Sequence, residues 1–427
     1  MPASPKRLIG PFAEILTMDH LPLNGSLRDD ELEVVRDGGV LLSQGRILEV
    51  LGRKAFRSMR RDLEKDPRRG ELRIIESEMV LMPGMVDAHT HMCYAGDRSG
   101  EFARSLAGES YRDIAAAGGG ILSTVRATRK ASEDELVASL SKRAREHLER
   151  GITTCEVKSG YGLDVRTETR MLKAIRRVNE SRAPHPFLVP TCLAAHVRPP
   201  EFKLDADYLD HVVHKLLPSV MKQKLAGRVD IYVDDGAFTH EDAETYLVQA
   251  KELGFVPVLH ADQFSRGGSS VAAHVGALSA DHLEHSTKED LEKLRETGVI
   301  AVVLPGSAIG LGVRPAPARE MLDLGLSMAI ASDWNPGSAP MGDLLIEACV
   351  LAAGQKLTVA EVLAGVTVRG ANALGLTDRG VIKSGMQADL IGFECASHLD
   401  IVYRQGALRP SLVMRSGKVN KDKGIGG

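Results

Sequence analysis

The feature that most constrains this chain is a rhythm. Apolar runs of four to seven residues alternate with helical patterns through the middle of the sequence, and each run closes on polar or ionisable residues. The closing stretches are Asp87-Ala-His-Thr-His91, Thr154 to Lys158, Phe187 to His196, Val229 to Asp235, Val256 to His260, Leu278 to His282, Ile300 to Pro305 and Leu326 to Asp333. Eight strand-plus-helix units over about 280 residues have the size and period of a (β/α)8 barrel. An open doubly wound sheet is the competitor, but it usually shows fewer strands and a glycine-rich first turn, and no G-x-G-x-x-G follows the first run. Helix starts fall between the runs. Thr239 precedes a helical pattern over Asp242–Leu253, and Ser286-Thr-Lys-Glu289 reads as a capping box that opens a helix to Glu296.

The two ends have another texture. From Leu8 to Val80, short apolar runs (Ala13–Leu16, Val34–Leu42, Ile47–Leu51, Ile74–Val80) are broken by Gly, Pro and charge, and the same texture returns after Gly380 in 385–393 and Ser411–Gly417. The expected fold is therefore α/β: a (β/α)8 TIM-like barrel over 81–379 beside a small β-sandwich domain built from 1–80 and 380–427. Composition narrows the function classes. Lys plus Arg is 54 and Asp plus Glu is 57, a net charge of −3, which recommends no nucleic-acid partner. Five scattered cysteines fit reduced thiols packed as small apolar side chains. No 18-residue apolar run occurs and Met-Pro-Ala-Ser-Pro-Lys-Arg7 is not a secretory leader, so the expectation is a cytoplasmic protein without a membrane partner.

In a barrel, chemistry sits where strands end. There the sequence collects His89, His91, Lys158, His196, Asp234, Asp235, His260, His282 and Asp333. Any one of the histidines alone reads first as a satisfied core or rim residue, and a turn residue before Asn335-Pro-Gly337 is the lesser reading of Asp333; their convergence on one face is what points to a site. In an extended segment residues i and i+2 point the same way, so His89 and His91 face one place about 7 Å apart along the chain. His260 and Asp333 are available as third and fourth ligands. Mixed imidazole and carboxylate donors suit one divalent metal, zinc or iron, with room for a water whose pKa falls to about 7. Asp333 can then take the proton from that water while His282 hydrogen-bonds the water or the developing oxyanion. The reaction class is metal-assisted hydrolysis at a carbon bonded to nitrogen or oxygen.

These residues resemble the amidohydrolase superfamily: His89-Thr-His91 after Pro-Gly-Met-Val-Asp87, His260 on the fifth strand, His282 on the sixth and Asp333 on the eighth. Ala117-Gly-Gly-Gly-Ile121, Val157-Lys-Ser-Gly-Tyr-Gly-Leu163, Ala195-His196, Ser279-Ala-Asp-His-Leu283 and Ser332-Asp-Trp-Asn-Pro-Gly-Ser338 narrow the likeness to the imidazolonepropionases. That likeness implies ring opening of 4-imidazolone-5-propanoate to N-formimidoyl-L-glutamate in histidine breakdown, by a homodimer. It implies metal ligands His89, His91, His260 and Asp333, and substrate contacts Arg98, Tyr161, His196, Gln263, Asn335, Gly337 and Ser338. Chemistry supports Arg98 separately, since a guanidinium binds a propanoate tail bidentately. Two departures stand out. Gln263 occupies the position where deaminating relatives carry a proton-shuttling glutamate, which moves the acid/base burden to Asp333 and His282. Trp334 stands where phenylalanine is common, with a packing consequence expected. The main rival is a binuclear hydrolase in which carboxylated Lys158 bridges two metals; its place after the second strand rather than the fourth argues against that.

Overall fold

The computed structural model of the chain describes residues 6–422 apart from 110–112 and 114–116. The chain opens with strands β1 (Arg7–Leu16), β2 (Val34–Ser43), β3 (Arg46–Leu51), β4 (Glu71–Ile74) and β5 (Val80–Pro83). The stretch Ile74–Val80, expected as one strand, is instead the crossing between β4 and β5. Both run parallel to β1, β4 beside Arg7–Gly10 and β5 beside Glu14–Ile15, so the residues between them, with Ile75 and Met79 buried and Glu76, Ser77 and Glu78 exposed, span from one half of β1 to the other. A bulge in β1 between Ile9 and Phe12 separates those halves. The helix Arg53–Lys65, absent from the sequence expectation, lays Phe56 and Leu63 against Leu8, Leu41 and Leu51.

The barrel follows: β6 (Met85–Asp87), β7 (Ile152–Lys158), β8 (Phe187–Ala195), β9 (Arg228–Val233), β10 (Val256–Ala261), β11 (Ser279–His282), β12 (Ile300–Val303) and β13 (Met328–Ile330). They pair in sequence order and every pairing is parallel. Strand residues are buried on both faces, as a parallel sheet covered by helices requires. Strands β6 and β13 are three residues each, and the seam between them closes just beyond their ends through a parallel bridge from Thr90 to Trp334. There the His91 N–H donates to the Trp334 carbonyl at 2.9 Å and the Asp333 N–H to the His89 carbonyl at 3.1 Å. Below the seam, the helix Val368–Ala373 packs so close that a Cβ at Gly370 would lie 2.8 Å from the Val86 carbonyl oxygen.

The chain then returns to the first sheet as β14 (Leu390–Phe393), β15 (Leu412–Arg415) and β16 (Lys418–Asp422), giving the order β16-β15-β14-β5-β1-β2-β3 with β4 on β1. Ile47 of β3 and Leu412 and Met414 of β15, far apart along that sheet, share one core with Ile9, Phe12 and Leu390. Thr239 caps the helix His240–Glu252 as expected, accepting from the Asp242 N–H. The next cap shifts by one residue: Thr287 and Asp290 form the capping box of the helix Lys288–Thr297, because the Ser286 hydroxyl donates to Asp262 at 2.6 Å. All five cysteines are buried and unpaired. Among the described residues no helix is long and apolar enough to cross a membrane.

Candidate active site

His89 and His91 lie just beyond β6, on the extended segment that forms the seam, rather than within a strand. Their Nε2 atoms are 3.1 Å apart, and His260 Nε2, from β10, is 3.2 Å from that of His91. Asp333 Oδ1 stands 3.5 Å from His89 Nε2 and 3.4 Å from His91 Nε2. None of the four residues is more than 3% exposed. The far sides of two rings are fixed by carboxylates. His89 Nδ1 lies 2.6 Å from Asp281 Oδ2, and His260 Nδ1 lies 3.0 Å from Asp230 Oδ2. With both Nδ1 atoms donating, the Nε2 atoms turn lone pairs toward one another.

Burial, with Lys158 the next contributor, holds His89 well below the ordinary histidine range. Burial and His260 do the same for His91, and burial takes His260 to about 4 although Asp230 favours its charged form. Burial pushes the Asp333 carboxyl up to about 7. Neutral rings with facing lone pairs, beside a buried carboxyl group, fit a bound cation, and the donor atoms of His89, His91 and His260 all lie within 4.8 Å of one another. Asp333 (φ 53°), His282 (φ 82°) and Leu283 (φ 70°) adopt left-handed backbone conformations, which non-glycine residues keep only where the surroundings impose them.

His282 ends β11 with its ring 5.4 Å from that of His260. The left-handed pair His282-Leu283 folds the chain so that Glu284 Oε1 comes 3.5 Å from His282 Nδ1. Burial opposes the charged ring, but Glu284, Asp333 and Asp281 together outweigh it and raise the His282 pKa. Tyr161 and His196 stand beside this group. The His196 ring stacks on His91 at 5.2 Å and 23°, its Nδ1 donates to the Gly160 carbonyl at 3.1 Å, and the Tyr161 ring lies 5.5 Å away. Burial takes His196 to about 3, so the ring is neutral. Gln263 accepts from the Tyr232 hydroxyl at 2.9 Å and donates to Ser307 Oγ at 3.1 Å.

Arg98, Asn335, Gly337 and Ser338 form one cluster next to Asp333. Asn335 Nδ2 donates to the Asp333 carbonyl (2.7 Å) and Ser338 Oγ (2.9 Å), while its Oδ1 accepts from the N–H groups of Gly337 (2.7 Å) and Ser338 (2.8 Å). Asn335 thus organises the loop that carries Asp333. A Cβ at Gly337 would collide with Arg98 Nη1 and lie 3.2 Å from its Cζ, so glycine here makes room for the guanidinium. Arg98 Nε is held by Glu101 at 2.8 Å. Trp334 packs on the His147 ring at 4.7 Å.

Some strand-end residues do not face this group. Lys158 is fully buried with Nζ 2.7 Å from Glu156 and 2.8 Å from Asp230, an ammonium surrounded by carboxylates; a carboxylated lysine would need the neutral amine, and these partners raise its pKa against the effect of burial. Asp234 accepts from the N–H groups of Asp235 (2.7 Å) and Phe264 (2.8 Å), ordering the loop after Gln263. Sequence reasoning missed Glu156, Asp230 and Asp281, Glu284 behind His282, Glu168, and the Tyr232 and Ser307 partners of Gln263. A signal existed for the first three: ionisable residues inside otherwise apolar strands are buried and must find partners.

Residues 80–420 match the Amidohydrolase family. The imidazolonepropionase of Pseudomonas paraeruginosa is 42% identical over 398 residues, covering 91% of this chain and 95% of that one. The imidazolonepropionase of Myxococcus xanthus is 43% identical over 340 residues (79% and 80%), and that of Shouchella clausii 38% identical over 400 residues (92% and 88%). Among solved structures, an adenosine deaminase from Xanthomonas campestris with bound zinc superposes with a TM-score of 0.70 at 18% identity, covering 99% of this chain and 94% of that one. The A. niger ochratoxinase does so with a TM-score of 0.70 at 17% identity, covering 99% and 97%. The two structures share the fold, and the sequence matches extend through nearly the whole chain. It belongs to the amidohydrolase family and, within it, to the imidazolonepropionases.

Proposed function

We propose that this chain hydrolyses the ring C–N bond of 4-imidazolone-5-propanoate, releasing N-formimidoyl-L-glutamate in histidine degradation. The observation that carries this reading is the convergence of His89, His91, His260 and Asp333 on one point, with Arg98 seated over Gly337 in the loop that bears Asp333. His89, His91, His260 and Asp333 would hold one divalent ion per chain, zinc or iron. Such an ion supplies Lewis acidity, acidifying water and polarising a carbonyl.

The chain's own residues do the rest. Asp333, a buried carboxyl already pushed toward neutrality, accepts the proton lost by the attacking water. Water adds its oxygen to the ring carbonyl carbon, the C–N bond breaks, and the departing ring nitrogen takes the proton that Asp333 accepted. His282, oriented by Glu284 on Nδ1, turns Nε2 to the developing oxyanion. Arg98 takes the propanoate bidentately. His196, whose Nδ1 proton is committed to Gly160, offers an Nε2 lone pair to a ring N–H, and Tyr161 flanks it. Gln263 keeps one amide proton and one lone pair beyond its bonds to Ser307 and Tyr232, enough for a contact with the imidazolone. Asn335, Gly337 and Ser338 shape the rim.

The same reading takes the protein as a cytoplasmic homodimer acting on a small anion, with no nucleic-acid or membrane partner. Its barrel, 81–379, bears the site, and 1–80 with 380–427 form the accompanying domain. The test is enzymatic generation of imidazolonepropionate followed by its ultraviolet absorbance. Loss of absorbance with the metal-loaded protein, suppressed by chelator, is expected. An unchanged trace with metal-loaded protein overturns the assignment.

A further inference from the structure

We infer that Lys158 is a positioning residue: its ammonium is a fixed internal cation beneath the metal site that holds the two carboxylates orienting the ligand histidines. The inference rests on the metal-site reading above.

The atoms form a branched path. Lys158 Nζ is 2.8 Å from Asp230 Oδ2, which is itself 3.0 Å from His260 Nδ1. The same Nζ is 3.6 Å from Asp281 Oδ2, which is 2.6 Å from His89 Nδ1. One ammonium therefore reaches two of the three ligand rings through one carboxylate each, while Glu156 Oε2 at 2.7 Å completes its shell. Glu156 and Lys158 are two residues apart on β7, so the strand's pleat puts both side chains on the barrel's inner face. Asp230 and Asp281 enter from β9 and β11, either side of the strand that carries His260.

A second set of converging donors makes the ammonium's role specific. One ligand atom each from His89, Glu156 and Asp281 lie within 4.8 Å of one another, a spacing that suits a metal ion. Lys158 Nζ sits among these carboxylates, supplying by side chain the positive charge that a second ion would bring. Without it, Asp230 and Asp281 would face Glu156 as uncompensated buried charges and would turn from the rings or protonate, and the Nδ1 donors would lose the acceptors that hold their tautomers. Lys158 acts through the ligands and not on the substrate.

The test is metal retention. Zinc per chain is measured against time in excess chelator for wild type, Lys158→Met, Lys158→Gln and the double variant Lys158→Met with Glu156→Gln, which removes one charge of each sign and leaves both orienting carboxylates. Cobalt-loaded spectra report ligand geometry, and the melting temperature of metal-stripped protein reports the fold. Expected are zinc loss faster by roughly 10–100-fold in the variants, an altered cobalt spectrum, and a double variant whose stripped form melts near wild type. Wild-type retention and spectrum in any folded variant overturn the role of Lys158. A wild-type protein that retains no zinc or iron refutes instead the metal site on which it rests.

Discussion

The backbone N–H of Asp333 donates to the carbonyl of His89 at 3.1 Å. Strand β13 has ended at Ile330 and β6 at Asp87, so this bond and its neighbour from His91 to Trp334 close the barrel at the residues that converge on the site. Ring closure and assembly of three of the four side chains proposed to hold the metal are the same structural event. The main chain sets their positions, and the side chains are left to chemistry.

Asp333→Asn separates those two roles. The seam survives because it is made by the backbone, while the proton acceptor is lost. Turnover should fall by roughly 10²–10⁴, the usual contribution of a general base. Metal-stripped Asp333→Asn should melt no lower than stripped wild type, because the substitution removes a buried carboxylate whose pKa burial has raised to about 7. Steady-state kinetics and calorimetry check both, and retained wild-type kcat would sink the role given to Asp333.

Gly337→Ala should act on Arg98. The added Cβ collides with Arg98 Nη1, and backbone strain is not involved because this glycine's φ is not in the positive range. Displacing the guanidinium should raise KM for a substrate with the propanoate tail by about tenfold or more, as should Arg98→Ala, while kcat changes little. The double variant should be no worse than either single one, since both remove the same contact. Additive losses in kcat/KM would show that Gly337 works by another route.

How much of this is legible in the sequence depends on how local each signal is. The barrel is legible because its period repeats, and His89, His91, His260, His282 and Asp333 are legible because each follows an apolar run. Ile74–Val80 misreads as a strand because its apolar ends belong to two different strands, β4 and β5, while the exposed Glu76-Ser77-Glu78 between them crosses from one to the other without a partner strand. The capping box slips by one residue because Ser286-x-x-Glu289 and Thr287-x-x-Asp290 both satisfy the pattern, and only the distant Asp262 decides between them. Glu156, Lys158, Asp230 and Asp281 each signal a buried charge in an apolar strand, but their partners are unreadable: what makes them a network is the lateral register of β7, β9, β10 and β11, which one strand's sequence does not contain.

Glu14 ties the two ends of the chain. Its Oε2 accepts from the His398 N–H at 2.9 Å and from His398 Nδ1 at 2.7 Å, and Arg36 reaches Oε1 at 2.9 Å. Burial alone would raise the Glu14 pKa, but His398 and then Arg36 bring it below 4.5. A carboxylate depressed in the folded state contributes stability that is complete above its unfolded value, here 4.5, and is lost as pH falls through the folded value. Glu14→Gln should therefore cost roughly 1–3 kcal/mol at pH 7, and its deficit should shrink below pH 4.5. Denaturant titrations at pH 7 and pH 4 measure it; a deficit independent of pH would rule out the linkage.

Glu168 is the anchor of the loop that presents Tyr161. The carboxylate is fully buried and accepts from the N–H groups of Gly160 at 3.0 Å, Gly162 at 2.7 Å and Leu163 at 2.9 Å, wrapping Ser159–Leu163 around itself. The loop's other output is the Gly160 carbonyl, which fixes the His196 tautomer. Glu168→Gln replaces one acceptor oxygen with a donor that faces backbone N–H groups, a cost of roughly 1–3 kcal/mol for each donor left unsatisfied. The loop should relax, moving Tyr161 and His196 together while the seam bond from the His91 N–H to the Trp334 carbonyl keeps in place the ring on which His196 stacks. KM should rise several-fold with zinc retention unchanged and kcat reduced less than KM is raised. Loss of zinc with KM unchanged would instead place Glu168 in support of the metal ligands, and an unaltered KM in a folded variant would end its role in holding the substrate loop.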